Sequence, residues 1–567
     1  MSVTAVVARH TRLNGGSHLQ PRPVSGALLA SSLGVLVTAI GYAAGRSGAP
    51  YGMVAFWLGQ ALVFVPILLR VLAGRLSETT AFLLSIGLAV NGYALKWTYS
   101  PDQLRFGDEL QHWSATETLL RTGRLFQPNA ALPPAVHFPA LEEMGAAVTR
   151  LTGLPVTASA FIVAGLLHLI LVGAIFALVR RCGGGPTLAA LTCVVYATGL
   201  HYLFFDSMFA YQTAALPFLV LAPWAVRRRD PVLTSVAIVM VTVSHHVTGL
   251  VLVFSLAVLA ILDRRRFTAL AAIGAAAFVG GWMALVAPEV LGYLWQPFGT
   301  LLQTGAGGGS GGGSPSWILA IQLAGILGLA AVFVVALRLA RRQRTRDPWQ
   351  VATLIGAGLY FAGLALRLAG PSGPELAARS ATFAYLPLAG VTATVLLRWR
   401  AQRPSARSPL IVATALIVLL ATGARLGGWP PSWALLPGPY VAAGQERSVE
   451  PLGIEAADWT RANLGPGNRI GADLTGWTLA STYGRQDPVG TVAPLYDSPT
   501  WTYSDSQLVR DLAIRYVWVD TRLAERASPT ATLFVNDPLA GSRTSPLSAE
   551  QLAKFDAAGG LSRIFDN

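Results

Sequence analysis

The sequence predicts an α-helical polytopic membrane protein of about thirteen transmembrane helices with a small C-terminal α/β domain, and three observations predict it. Of 567 residues, 53% are hydrophobic and only 12% are charged, against roughly 25% charged in an ordinary soluble domain. Apolar runs of about twenty residues recur, each long enough as helix to cross a hydrocarbon core roughly 30 Å thick. Arginine, finally, gathers in short connections between those runs, and in every second one.

The runs lie at about 25–45, 51–73, 79–97, 156–179, 186–205, 208–226, 231–245, 247–263, 267–288, 316–338, 350–369, 379–397 and 408–424. With the N-terminal segment 1–24 in the cytoplasm, every even-numbered connection falls on the same side, and each is basic. These connections hold Arg70 and Arg75; Arg180 and Arg181; Arg227, Arg228 and Arg229; Arg264, Arg265 and Arg266; Arg341, Arg342, Arg344 and Arg346; Arg398, Arg400, Arg403 and Arg407. The net charge of +14 is therefore topology rather than a nucleic-acid footprint. One run, Val232 to Leu262, is too long for a single span and is broken near its middle by His245, His246 and Gly249. Splitting it there keeps Arg264–Arg266 and all later basic loops inside. Gly41 to Gly45 mimics a signal-peptide cleavage site, but the spans that follow make the first run an uncleaved helix. Cys182 and Cys193, near the ends of adjacent runs, are not expected to pair or to bind metal.

The transmembrane domain is thus expected over 25–424, in the plasma membrane, with a long exterior loop at 98–155 and a Gly-rich exterior loop at 289–315. GAGGGSGGGS, Gly305 to Ser314, has the composition of a flexible coil; the alternative is a loop that orders over a substrate. The tail, 425–567, is polar and rich in Gly, Pro and Asp, with strand-like runs such as Tyr516-Val517-Trp518-Val519, and is expected to fold as one soluble extracytoplasmic domain.

Acids and imidazoles near a membrane are informative because burying one in lipid costs several kcal/mol, and here they collect on the exterior side. The first exterior loop opens Phe106-Gly107-Asp108-Glu109-Leu110-Gln111-His112-Trp113. Adjacent Asp108 and Glu109 suit a general base with a neighbouring carboxylate, against the default of solvated loop acids. The rest of that loop is amphipathic and suits helices lying at the interface. Asp206, in Phe204-Phe205-Asp206-Ser207-Met208-Phe209-Ala210-Tyr211, is by default the N-cap of the next helix and otherwise a substrate-facing carboxylate. Ser244-His245-His246-Val247-Thr248-Gly249 places two histidines at an outer turn, a pattern for phosphate or metal rather than for a packed core. Glu375 and Arg379 stand four apart at the outer end of a helix, either as an ion pair or with Arg379 offered to an anionic phosphate.

In their order along the chain these features, GDELQHW, FFDSMFAY, SHHVTG and ELAARSATFAYLPLAG, resemble the GT-C superfamily of polytopic glycosyltransferases, in particular the actinobacterial proteins akin to dolichyl-phosphate-mannose and aminoarabinose transferases. The tail beginning Ala456-Ala457-Asp458-Trp459 resembles the soluble outer domain of such proteins. The resemblance implies inverting transfer of a sugar from a polyprenyl-phosphate-linked donor to a glycan, lipid or protein acceptor at the outer face. It implies Asp108 as base with Glu109 as its partner, or the reverse. It places His245, His246 and Arg379 on the phosphate leaving group, with His112, Asp206 and Glu375 as further substrate-binding candidates. The exterior acids are not a dense ligand cluster, so no cofactor is assigned and a divalent metal ion is left open. The rival class is a membrane transporter or lipid flippase, for which internal repeats and broken helices near the midplane are expected; neither is clear in this sequence.

Overall fold

The computed structural model describes residues 24–129, 132–292, 316–368, 373–403, 405, 407–427 and 431–567. All but the last residue of segment 1–24, most of the Gly-rich loop (293–315) and the turn at 369–372 lie outside the described residues.

Each of the thirteen apolar runs carries a helix. They are α1 (Val24–Arg46), α2 (Gly52–Leu72), α3 (Glu78–Tyr99), α6 (Val156–Arg181), α7 (Pro186–Tyr196), α8 (Tyr211–Arg228), α9 (Pro231–Ser244), α10 (His246–Asp263), α11 (Arg266–Leu285), α12 (Ser316–Arg342), α13 (Pro348–Ala365), α14 (Gly373–Gln402) and α15 (Ser408–Leu420). Among the described residues, eight helices are long and apolar enough to cross a membrane: α1, α2, α6, α10, α11, α12, α14 over Ala377–Gln402, and α15 extended to Arg425. The expected count of thirteen full spans is therefore not reproduced. The run at 186–205 shows why: α7 stops at Tyr196, where Thr198 and Gly199 turn back to the carbonyls of Val195 and Tyr196, and the chain goes on in turns to Ala210. Apolar composition does not distinguish a buried coil from a helix.

A membrane explains the outer surface. In α1, Leu29, Leu33, Leu36 and Ile40 recur at helical spacing and all are exposed; Leu270, Ile273, Leu327 and Leu410 are more than 60% exposed on other helices. In water such a surface would aggregate; in lipid it needs no partner. The chain is a multi-pass membrane protein. Its interior is continuous from α2 and α3 through α7 to α14 and α15, built on residues such as Phe64, Leu84, Leu191, Leu388 and Leu416.

Close approach of α1 and α2 depends on glycine. A methyl group on Gly34 would stand 2.5 Å from the Val63 nitrogen and 2.7 Å from the Gly59 carbonyl oxygen, which is the small-residue packing that lets membrane helices touch. Gly34→Leu is expected to force the two helices apart and to lower the melting temperature of the detergent-solubilised protein by several degrees, whereas Gly26→Leu, where a Cβ meets nothing within 4 Å, is expected to leave it unchanged.

The basic connections meet one another at one end of the helices. Arg180 pairs with Glu78 at 2.7 Å, Arg181 donates to the Arg227 carbonyl at 3.3 Å, Arg227 lies 5.1 Å over Trp349 and Arg398 donates to Gln343. At the other end lies the first long loop, folded as α4 (Gly107–Thr122), a 3₁₀ turn Pro133–His137 and α5 (Ala140–Thr152).

The C-terminal region builds a three-stranded parallel sheet, order β2-β1-β3, from β1 (Arg469–Gly471), β2 (Asp487–Val489) and β3 (Tyr516–Val517). Parallel pairing needs crossovers. Helix α18 (Leu474–Ser481) provides the first, capped by Asp473, which accepts the Thr475 and Gly476 amides. Tyr496, Phe534, Leu523 and Phe555 form a core of its own. A second apolar cluster joins this region to the first loop: Ile454, Ala457, Leu479 and Tyr483 pack with Leu110, Trp113 and Leu141. Arg485 seals that junction on Glu117 at 2.5 Å.

Candidate functional site

Helix α4 is the axis of the site. Phe106 is extended, the helix starts at Gly107, and Gly123 ends it in the left-handed conformation that suits a glycine C-cap. Asp108 and Glu109 occupy the first turn, where the helix dipole favours carboxylates. The two then part company. Glu109 is 1% exposed, pairs with the Lys96 ammonium and accepts the Phe209 amide at 3.0 Å. Asp108 is half-buried and has no hydrogen bond or ion pair among the described residues.

One turn on, His112 repeats the pattern of Glu109. Its Nε2 accepts the Tyr211 amide at 3.3 Å, so the ring proton sits on Nδ1 and is donated to Glu142 Oε1 at 2.6 Å. Glu109 and His112, three apart on one helix face, thus hold the backbone on either side of Ala210 and fix the Phe204–Tyr211 segment against α4. His112 has both nitrogens engaged, Nε2 by this backbone and Nδ1 by Glu142.

Tyr211 connects α4 to the histidine turn. Its ring lies 4.9 Å from His112, 4.4 Å from His245 and 5.9 Å from His246. The break between α9 and α10 falls at His245, which is extended and caps α10: its Nδ1 accepts the Thr248 amide at 3.3 Å and lies 2.7 Å from the Thr248 hydroxyl. Its Nε2 therefore carries the proton. Arg379 acts electrostatically on both histidines, which brings SHHVTG and ELAARS together although more than a hundred residues separate them. Glu375 belongs to α14, and its side chain lies outside the described residues.

Asp206 sits elsewhere. It is not an N-cap, because α8 begins at Tyr211 with Ala210 before it. Asp206 is 2% exposed, accepts the Tyr196 hydroxyl at 2.6 Å on Oδ2, and faces a separate cavity of about 10 Å³ shared with His201, Tyr202, Thr382 and Tyr385, room for about one water.

Lys96 was not singled out from the sequence, and neither were Glu446 and the arginines near it. Glu446 is buried, with Oε2 lacking a hydrogen-bond partner among the described residues. Burial, with the Asp108 and Glu109 charges added, pushes its pKa up from 4.5 to about 8. Beside it Arg46 lies 4.5 Å over Tyr440 and 5.3 Å over Tyr99, Arg105 lies 5.1 Å over the same Tyr440, and Arg447 donates to the Pro439 and Trp433 carbonyls. A carboxyl whose pKa is raised on folding stabilises least when it must ionise, so its contribution is lost as pH rises from about 4.5 through about 8. Glu446→Gln is expected to flatten the melting temperature against pH across that window relative to the unaltered protein; an identical slope in both would refute it. Among the described residues no three His, Cys, Asp or Glu side chains converge as a metal site.

A cleft of about 250 Å³ runs beside α4, between the loop that follows it and the C-terminal region, with His112 and Glu142 in its lining. No family model matches the chain, and no curated protein does. Among solved structures, the crystal structure of ArnT from Cupriavidus metallidurans bound to undecaprenyl phosphate is similar at 15% sequence identity and a TM-score of 0.45, with 78% of this chain and 90% of that chain covered.

Proposed function

We propose that the protein is a membrane glycosyltransferase that moves a sugar from a polyprenyl-phosphate-linked donor to an acceptor at the outer face of the plasma membrane, with Asp108 as the base. The observation that carries this reading is the division of labour between two adjacent carboxylates. Glu109 is committed to Lys96 and the Phe209 amide, while Asp108 stands in the same helical turn uncommitted, three residues before Gln111 of the cleft wall. A carboxylate so placed suits the deprotonation of an acceptor hydroxyl. In the step proposed, the acceptor oxygen bonds to the anomeric carbon as its proton passes to Asp108. The bond from that carbon to the phosphate oxygen breaks, and its electron pair leaves with the phosphate, so a single displacement inverts the anomeric centre. Negative charge grows on the phosphate, and the His245 Nε2–H, His246 and Arg379 are the groups proposed to stabilise it. The positive-inside rule, applied to the arginine-rich end, puts this face and the 425–567 domain outside the cell.

Gathering of the polar groups at one end of the helices favours a transferase over a transporter, whose sites lie near the midplane. The test is purified protein with a radiolabelled polyprenyl-phosphate sugar and crude membrane acceptors. Label is expected to move to acceptor. Solute uptake into proteoliposomes without any donor consumption would establish the transporter instead.

A further inference from the structure

Resting on the transferase reading, we propose that the cleft beside α4 is a carbohydrate site and that the acceptor is a sugar whose hydroxyl it presents to Asp108. The cleft volume of about 250 Å³ lies just below the range of roughly 300–1,000 Å³ usual for small-molecule sites, suited to a ring or two rather than a polymer. Two aromatic side chains line it. Trp477 of α18 is half-buried, fixed by packing against Ile470, Ala472 and Ala480. Phe126, from the loop after α4, is 46% exposed and has φ +58°. A bulky aromatic in the left-handed region is a backbone outlier, and exposure of its ring means that packing does not explain it; such strain is characteristic of binding sites.

Polar groups at the cleft complete the match. Glu142 is 6% exposed and its Oε1 is taken by His112, but Oε2 is buried without a hydrogen-bond partner among the described residues. A carboxylate oxygen only accepts, so the missing group is a donor, and a sugar hydroxyl supplies one. Gln111, Ser114, Thr118 and Gln127 add amide and hydroxyl groups. Arg124 and Asp487 also line the cleft, Asp487 paired with Arg469; apolar ring faces beside a buried acceptor and a mixed set of polar side chains fit a pyranose, with its C–H face and hydroxyl edge. They do not fit an acyl chain, which would leave the carboxylate unsatisfied.

Helix geometry links the cleft to the base. Gln111, His112, Ala115 and Thr118 line it, and counting back three or four residues from the first two reaches Asp108 on the same helix face, about 5 Å along the axis. A sugar seated over Gln111 therefore has its far hydroxyl beside Asp108.

The experiment uses the full chain in detergent, with saturation-transfer NMR on a panel of methyl hexopyranosides and with sorbitol as an acyclic polyol control. At least one methyl hexopyranoside is expected to bind saturably through its ring C–H protons while sorbitol does not. Trp477→Ala and Phe126→Ala are each expected to weaken binding at least tenfold. Asp108→Asn is expected to bind sugar while its transfer falls by about a hundredfold or more. If Trp477→Ala unfolds the C-terminal region, Phe126→Ala and Ser114→Trp, which fills the cleft from α4, still decide the matter. Absence of binding by every pyranoside, or binding untouched by Phe126→Ala and Ser114→Trp, overturns the proposal. The transferase reading fails separately: label that passes from the polyprenyl donor to a non-carbohydrate acceptor overturns only the sugar cleft, and pyranoside binding with no donor ever consumed overturns only the acceptor role.

Discussion

Asp108→Asn is expected to lower the turnover number for sugar transfer by about 10²–10⁴-fold, the usual contribution of a positioned general base, and to leave the melting temperature and donor binding unchanged. The substitution is nearly isosteric, and Asp108 has no hydrogen bond or ion pair among the described residues to lose. Glu109→Gln behaves differently: it takes the charge from the buried pair with Lys96, so its loss of activity is expected to come with loss of stability. The two are told apart by measuring single-turnover transfer and thermal unfolding on the same preparations. Equal falls in stability for both variants would mean that Asp108 is a structural acid. A transfer rate unaltered in Asp108→Asn would remove it as the base.

The GDELQHW motif offered both acids on equal terms, and only tertiary structure separates them. Lys96 and Phe209, the partners that commit Glu109, come from α3 and from the segment before α8, and nothing in the spacing of the motif announces either. The break at His245 was legible because a long apolar run and a charge pattern both required it, and the structure ends α9 at Ser244 and starts α10 at His246. The end of α7 was not legible: residues 197–205 are apolar because they are buried, and burial in a coil reads the same as burial in a helix. Asp206 misled for a related reason, since an Asp before an apolar run has the pattern of an N-cap but here bonds a tyrosine inside the protein. For the cluster around Tyr440 a signal did exist. Arg46 stands in the first exterior connection, which the positive-inside pattern leaves poor in arginine, and it proves to lie over the Tyr440 ring. Arginines that break a topological rule are candidates for a site.

Lys96→Met is expected to destabilise the protein by about 3–5 kcal/mol, the cost of leaving a buried charge without its partner. Lys96 and Glu109 are 3% and 1% exposed, and their ion pair is flanked by the Phe106 and Phe161 rings, each within 5.5 Å of the ammonium. Water cannot take over from the lysine there. The double variant Lys96→Met/Glu109→Gln is expected to recover most of the loss, because a neutral pair of similar volume often replaces a buried ion pair at little cost and Gln can still accept the Phe209 amide. Denaturant unfolding of the two single variants and the double variant gives the coupling energy directly, and additive losses would show that the pair does not act as a unit. Transfer by the double variant then separates two roles for Glu109. Activity restored along with stability means that the pair only holds α4 and the Phe209 backbone so that Asp108 is correctly placed. A double variant that folds as stably as the natural chain and transfers nothing means that the Lys96–Glu109 charges act on the substrate themselves, and Asp108 is then one part of a three-residue catalytic group.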